Sequence, residues 1–163
     1  MESDQKNIES PQYLTFQVAG QEYALAIKKV REIVEYGSLT KVPRTPAAIR
    51  GVTNLRGNVV PVVDLALLFG IGSGPITART CIIVIETSWQ GECSVMGVLA
   101  DAVNKVAQWS NADVLPPPAF GTRVPVDFIR GMVKSAQDFV IVLEIEKVLS
   151  MSELAASAAL REL

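Results

Sequence analysis

Residues 49–65 read IRGVTNLRGNVVPVVDL, the pattern of a strand, a tight polar turn, a second strand and the start of a helix. Gly57 supplies a residue that takes positive φ at low cost, as hairpin turns often require. Asp64 ends the second strand and can cap a short helix from Leu65 to Phe69, which would end at Gly70. The stretch therefore predicts a β-hairpin closed by about one helical turn.

The same pattern returns without a gap at residues 129–145, which read IRGMVKSAQDFVIVLEI. The shared residues are Ile49, Arg50, Gly51, Val60 and Val62 in the first copy and Ile129, Arg130, Gly131, Val140 and Val142 in the second. Glu144 stands where Asp64 does, so a second short helix is expected from Glu144 to Leu149. We interpret the match as a duplicated β-unit, with two related halves in one chain.

The turn is where the two copies differ most. Asn54, Leu55, Arg56 and Gly57 become Lys134, Ser135, Ala136 and Gln137. A turn that only joined strands would not require Leu55 and Arg56 at its tip, which favours a binding role. The alternative is that Leu55 folds back onto the core and Arg56 caps a carbonyl. The turn alone leaves both interpretations open.

The composition is that of a compact protein without a basic field. Of the 163 residues, 49% are hydrophobic and 20% charged, and the formal net charge is −2, which argues against a nucleic-acid partner. Cations are concentrated between Lys28 and Arg56, where seven of them outnumber two glutamates. This excess is explained either by a face for an acidic partner or by an ordinary solvated surface.

The sequence carries no constellation typical of an enzyme. It contains no histidine, which removes the usual triad base and the commonest metal ligand. Cys81 and Cys93 fit no zinc or redox spacing, and reduced thiols suit a cytoplasmic protein. Gly70 to Gly74 lacks the lysine that a phosphate-binding loop requires. We expect no catalytic residue, no metal and no cofactor, and the absence of a long apolar run argues against membrane insertion.

Many short apolar runs punctuated by glycine and proline favour an all-β fold. Each half offers about five strands, which is suited to two small barrels because closure removes exposed edges. We expect a disordered N-terminus over 1–11, a main unit over 12–150, and a C-terminal helix over 151–163. Within the main unit, a first barrel would span about 12–75 and a second about 76–150, with exchange of strands between them left open.

An apolar stripe follows the second strand. Val30, Ile33 and Val34 have helix-like spacing and are interleaved with charged residues, so a short helix or a helix-to-strand passage is expected here. Such a stripe is typical of a groove for a partner helix. Packing in the protein core explains the three residues equally well.

The chain resembles the CheW family, the coupling proteins of bacterial chemotaxis arrays. The resemblance covers about residues 13–149 and depends on the order and spacing of several segments. These are YLTF at 13–16, EYAL at 22–25, VREI at 30–33, VPRTP at 42–46, the whole 49–65 stretch, GVLADAV at 97–103 and PP at 117–118.

The resemblance implies two five-stranded, SH3-like barrels and a non-catalytic adaptor. Such an adaptor couples the cytoplasmic hairpin tip of chemoreceptors to the regulatory domain of a CheA-type histidine kinase. It is cytoplasmic, is recruited to membrane-associated receptor arrays, and can alternate with kinase domains in rings. A coupling protein of a sister chemosensory pathway, with pili or a second messenger as output, fits the same residues. A nucleic-acid-binding small barrel is the third alternative.

The resemblance also implies a receptor-coupling surface, formed by the residues of this chain that match the family's coupling positions. This surface comprises Val30, Glu32, Ile33, Gly51, Asn54, Leu55, Arg56, Val98 and Asp101. Two departures stand out: Ala66 replaces a basic residue common in the family, and Ala100 interrupts the usual Val-Val-Asp or Val-Asp pattern before Asp101. These departures leave the fold expectation unchanged and are compatible with a specialised pathway.

Overall fold

The computed structural model describes residues 11–72, 74–89, 91–117, 124–136 and 138–149. The expected C-terminal helix and all but the last residue of the expected disordered N-terminus lie outside this part of the chain. The described residues form ten strands: β1 Gln12–Val18, β2 Gln21–Ala26, β3 Val30–Glu35, β4 Ile49–Leu55, β5 Asn58–Asp64, β6 Cys81–Trp89, β7 Glu92–Ala100, β8 Ala102–Gln108, β9 Ile129–Ser135 and β10 Asp138–Leu143. The all-β expectation is confirmed.

Short helical segments occur where the sequence predicts them. Helix α1, Leu65–Leu68, begins after Asp64, whose carboxylate accepts hydrogen bonds from the backbone N–H groups of Ala66 and Leu67. Residues 145–149 form the matching helix after β10. A 3₁₀ turn, Ile27–Lys29, leads directly into β3, so the helix-to-strand passage is also confirmed. A second 3₁₀ turn, Val126–Phe128, precedes β9.

The ten strands form two five-stranded sheets with matching topology. Sheet A has the order β8-β1-β2-β10-β9, and sheet B has the order β3-β6-β7-β5-β4. In each sheet the central parallel pair joins the two repeats, β2 with β10 and β5 with β7. Each sheet therefore combines the leading hairpin of one repeat with the last three strands of the other.

This exchange changes how the halves are divided. Strands β1 and β2 precede residue 75, yet they pair with β8 and β10 from the second half. Strands β6 and β7 in turn complete the sheet that contains β3, β4 and β5. A boundary near residue 75 thus separates the repeats in sequence but does not separate the sheets.

The main hydrophobic core lies between the two sheets, and a smaller cluster lies inside each sheet. Strand β6 illustrates the alternation: Ile83 and Ile85 belong to the main core, whereas Ile82 and Val84 belong to the cluster inside sheet B. Because both faces of β6 are buried over residues 82–85, this part of the strand is a continuous apolar run rather than an alternating one.

Two glycines at equivalent repeat positions allow a loop to approach the sheet. Gly51 has φ 155°, and a Cβ on it would lie 2.7 Å from the carbonyl oxygen of Thr40. A Cβ on Gly131 would lie 2.7 Å from the carbonyl oxygen of Leu115. In each copy that loop residue forms a bridge to the residue after the glycine, Val52 or Met132. The glycine of each Ile-Arg-Gly motif is therefore a packing requirement.

Candidate functional site

The hairpin tip between β4 and β5 is a two-residue turn with both central residues in the left-handed region. Arg56 has φ 53° and Gly57 has φ 87°. Leu55 pairs with Asn58 across the turn, and the Asn54 side chain accepts a hydrogen bond of 2.9 Å from the Gly57 N–H. This is the turn geometry that matches the twist of adjoining strands. The expected positive φ at Gly57 is confirmed.

Arg56 is held at this tip by an ion pair with Glu32 on β3. Its Nη1 donates to Glu32 Oε1 at 3.1 Å and its Nη2 donates to Oε2 at 2.8 Å. The arginine side chain is 73% exposed and the glutamate side chain 23% exposed. Two parallel hydrogen bonds fix the guanidinium plane, which still presents most of its surface to solvent. Arg56 therefore binds a carboxylate, and the carbonyl-capping alternative is not needed to explain it.

The ion pair borders a cleft of about 220 Å³ on sheet B. All five strands of that sheet contribute to its lining, which consists of Arg31, Glu32, Leu55, Arg56, Asn58, Val59, Val60, Val84 and Val95. We call this lining the sheet B cleft. Leu55, Val84 and Val95 also pack with the cluster inside the sheet, so the apolar floor of the cleft continues into the core. Leu55 therefore packs against the core, as the alternative interpretation of the turn expects, and it also lines the cleft.

Two exposed apolar side chains lie on strands near the ion pair, Val59 within the cleft lining and Ile33 outside it. Ile33 is 45% exposed on the edge strand β3, and Val59 is 56% exposed next to the hairpin turn. Val30, by contrast, is partly buried against the main core, and Val34 packs inside sheet B. The stripe predicted on this strand is therefore divided between surface and core.

Six of the nine residues expected at the coupling surface do not line the sheet B cleft, namely Val30, Ile33, Gly51, Asn54, Val98 and Asp101. Three of these six are held elsewhere in the fold. Val98 is completely buried in the main core, so its side chain is unavailable to a partner and its placement on a contact surface is wrong. Gly51 is buried beneath the loop at Thr40. Asp101 follows β7 and accepts a hydrogen bond of 2.8 Å from the Ala19 N–H, which ties it to the β1–β2 turn of sheet A.

The cleft also includes residues that the sequence did not single out. Arg31, Val59, Val84 and Val95 line it beside the expected Glu32, Leu55 and Arg56. Val59 had a usable signal, because it lies two residues after the turn and alternates with the buried Val60. Val84 and Val95 lie within long apolar runs, in which nothing distinguishes a cleft residue from a core residue.

Several cations of the first half are engaged by carboxylates. Lys29 pairs with Glu146, Arg50 pairs with Asp64 at 3.3 Å, and Arg56 pairs with Glu32. Neutralisation by internal partners weakens the case for a continuous basic face of the kind that nucleic acids require. The local cation excess is thus partly structural.

Two side chains whose pKa is raised by burial lie away from the cleft. Burial raises the pKa of Tyr23 to about 12 and also raises the pKa of the Cys81 thiol, but neither residue lines the cleft. Within the described ranges, no cluster of three or more acidic, cysteine or histidine residues is arranged to hold a metal ion. In the same part of the chain, no helix is long and apolar enough to cross a membrane.

Residues 12–153 match the family model of the CheW-like domain. The chain belongs to the CheW-like family. The chemotaxis protein CheW of Klebsiella aerogenes is 32% identical over 144 residues, covering 88% of this chain and 84% of the relative. The protein FrzA of Myxococcus xanthus is 34% identical over 140 residues, covering 85% of this chain and 84% of that protein.

A solved structure agrees with the fold. The crystal structure of the scaffolding protein TtCheW from Thermoanaerobacter tengcongensis superposes with a TM-score of 0.74 at 32% identity. The match covers 83% of this chain and 85% of that one. The comparison extends the family assignment from sequence to the arrangement of the two sheets.

Proposed function

We propose that this CheW-family protein is a non-catalytic adaptor of chemotaxis signalling that couples chemoreceptors to a CheA-type histidine kinase. Family membership over residues 12–153 supports the adaptor role, as does similarity to a scaffolding protein of known structure. At the level of individual surfaces, the proposal assigns receptor contact to the sheet B cleft and the adjoining edge strand β3. The kinase regulatory domain would bind a separate surface.

The observation that carries the receptor assignment is the exposed ion pair beside an apolar cleft. Arg56 and Glu32 are charged, fixed in orientation and accessible, and Val59 exposes apolar surface in the same cleft. An apolar centre with a polar rim is typical of protein interfaces. The helical hairpin of a receptor tip can place an apolar face in such a cleft and a polar side chain against Arg56.

The adaptor works by holding two partners together rather than by chemistry. When receptor and kinase bind different surfaces of one small protein, the second contact becomes effectively intramolecular. The effective concentration of kinase at the receptor rises, and its orientation is fixed. Individually weak contacts then suffice, particularly if adaptor and kinase domains alternate in rings at a membrane-associated array. Localisation of this chain to the cytoplasm, with recruitment to such arrays, belongs to the same proposal.

A receptor-binding measurement on paired variants tests the surface. Val59→Ser removes exposed apolar area from the sheet B cleft, whereas Val106→Ser removes a similarly exposed valine from sheet A. We expect the first change to weaken binding of a receptor hairpin fragment at least fivefold and the second to leave it unchanged. Equal binding by both variants would reject the sheet B cleft as the receptor surface.

A sister chemosensory pathway is the second candidate, and similarity to FrzA favours it specifically. That protein is as similar to this chain as the chemotaxis relatives are, with 34% identity over 140 residues. The adaptor chemistry would be the same, and only the kinase and receptor would differ. Parallel binding assays with each CheA-type kinase of the host cell would decide between the two, because only the cognate kinase would bind saturably.

A further inference from the structure

A second groove lies at the end of sheet A where β1 and β9 begin and where β2 and β8 end. Its volume is about 550 Å³. Its lining consists of Pro11, Gln12, Tyr13, Ala26, Ile27, Lys28, Gln108 and Arg130. We call this lining the sheet A groove. It shares no residue with the sheet B cleft, and the proposed receptor contact makes no use of it.

The charge in the sheet A groove has one sign. Lys28 and Arg130 are its charged lining residues, both are exposed, and no carboxylate contributes to the lining. Within the part of the chain that the structure describes, neither cation forms an ion pair. The neighbouring Lys29 behaves differently, because its ammonium group binds the carboxylate of Glu146. The groove therefore presents two cations without an internal counterion.

The equivalent arginine in the first copy of the repeat does have an internal carboxylate partner. Arg50 and Arg130 occupy the same bulge in the two copies, between the isoleucine and the glycine of the Ile-Arg-Gly motif. In the first copy Arg50 donates to the carboxylate of Asp64 at 3.3 Å, and Asp64 is almost fully buried. In the second copy Glu144 occupies the matching position, yet Arg130 has no carboxylate partner among the described residues. The second copy therefore retains the arginine, as Arg130, but in the described part of the chain it lacks the internal counterion that Arg50 has.

We propose that the sheet A groove binds an acidic, partly apolar peptide segment of a partner protein. Carboxylates of the segment pair with Lys28 and Arg130, and an apolar side chain lies against Ala26 and Ile27. Charge complementarity selects an acidic occupant, because a neutral or basic segment would leave both cations without a counterion. Arginine suits this role because its planar guanidinium matches a carboxylate through two hydrogen bonds.

The test uses the full-length protein and a synthetic peptide that alternates glutamate and leucine. In an isotope-labelled titration, the amide signals of Gln12, Ile27 and Arg130 should move in a saturable manner. Lys28→Gln and Arg130→Gln should each weaken binding about threefold, and the double variant about tenfold. Raising the salt concentration from about 50 to about 300 mM should weaken binding several-fold, because the pairs are exposed. A matching peptide with glutamine in place of glutamate should bind at least tenfold more weakly.

Arg79→Gln is the matched control, since it removes the same charge from an exposed arginine outside the groove. If this control weakens binding as much as Arg130→Gln, the attraction is non-specific and the proposal fails. Equal binding of the glutamine peptide, or signal changes confined to the loop around Lys41, would also overturn it. Deletion of residues 1–10, which carry three carboxylates, tests the alternative occupant. If deletion moves the same amide signals and tightens peptide binding about tenfold, the occupant is this chain's own N-terminus and the partner proposal is wrong.

Discussion

Charge reversal at Arg56 separates a structural from a functional role for the ion pair. Arg56→Glu removes two hydrogen bonds to Glu32 and places two carboxylates near each other. Because Arg56 is 73% exposed, the pair contributes little to stability, and we expect a loss of about 1 kcal/mol. For a domain of this size that loss lowers Tm by about 2–4 °C. Arginine and glutamate at position 56 have the same backbone strain at φ 53°, so the difference in stability between the two proteins comes from the side chain.

The functional assay is ATP turnover by a reconstituted mixture of receptor, kinase and adaptor. Arg56→Glu should abolish most receptor-dependent control of turnover while the protein remains folded by circular dichroism. The charge-swapped double variant, Glu32→Arg with Arg56→Glu, rebuilds the pair in reverse. It should recover stability to within about 0.5 kcal/mol without recovering control, because a partner would meet the opposite charge.

Two results would refute this reasoning. Unchanged turnover with Arg56→Glu would remove Arg56 from the coupling surface. Full recovery of control by the charge-swapped variant would show that the pair only supports the fold and that no partner reads its charge.

Three further predictions concern the fold. Gly51→Ala places a Cβ 2.7 Å from a backbone oxygen and should cost about 2–3 kcal/mol in chemical denaturation, whereas Gly37→Ala, with nothing within 4 Å, should change stability by less than about 0.5 kcal/mol. Separately expressed fragments 1–72 and 76–163 should each fail to fold and should assemble when co-expressed, because each sheet needs strands from both; an independently folded fragment would contradict the exchanged topology. Burial raises the pKa of Tyr23 to about 12, so between pH 10 and pH 12 the unfolded chain loses this proton while the folded protein keeps it. The free energy of unfolding should therefore be unaffected by this group below pH 10 and should fall by about 1.4 kcal/mol per pH unit between pH 10 and pH 12, and Tyr23→Phe should reduce that slope.

Local features of the fold were predictable because their causes lie within a few residues. The Asp64 cap, the positive φ of Gly57 and the passage from Ile27 into β3 each depend on neighbouring side chains and backbone. The repeat also indicated that equivalent glycines would have equivalent roles. The reason for the glycines, which is the approach of distant loop residues, required the tertiary structure.

Strand exchange and the cleft were not predictable in the same way. Apolar runs such as residues 81–85 carry no register, so nothing in them indicates which hairpin completes which sheet. The same uniformity concealed the burial of Val98. The pair between Glu32 and Arg56 joins β3 to the β4–β5 turn, and only the curvature of sheet B brings these residues together. Family resemblance singled out the β4–β5 turn but did not identify the cleft beside it.

The most direct test of the adaptor account is calorimetric titration of this protein into the isolated regulatory domain of its cognate CheA-type kinase, with and without a saturating receptor hairpin fragment. The account predicts saturable one-to-one binding in both titrations, because the two partners use different surfaces. Absence of binding between folded partners, or displacement of the receptor fragment by the kinase domain, would contradict it.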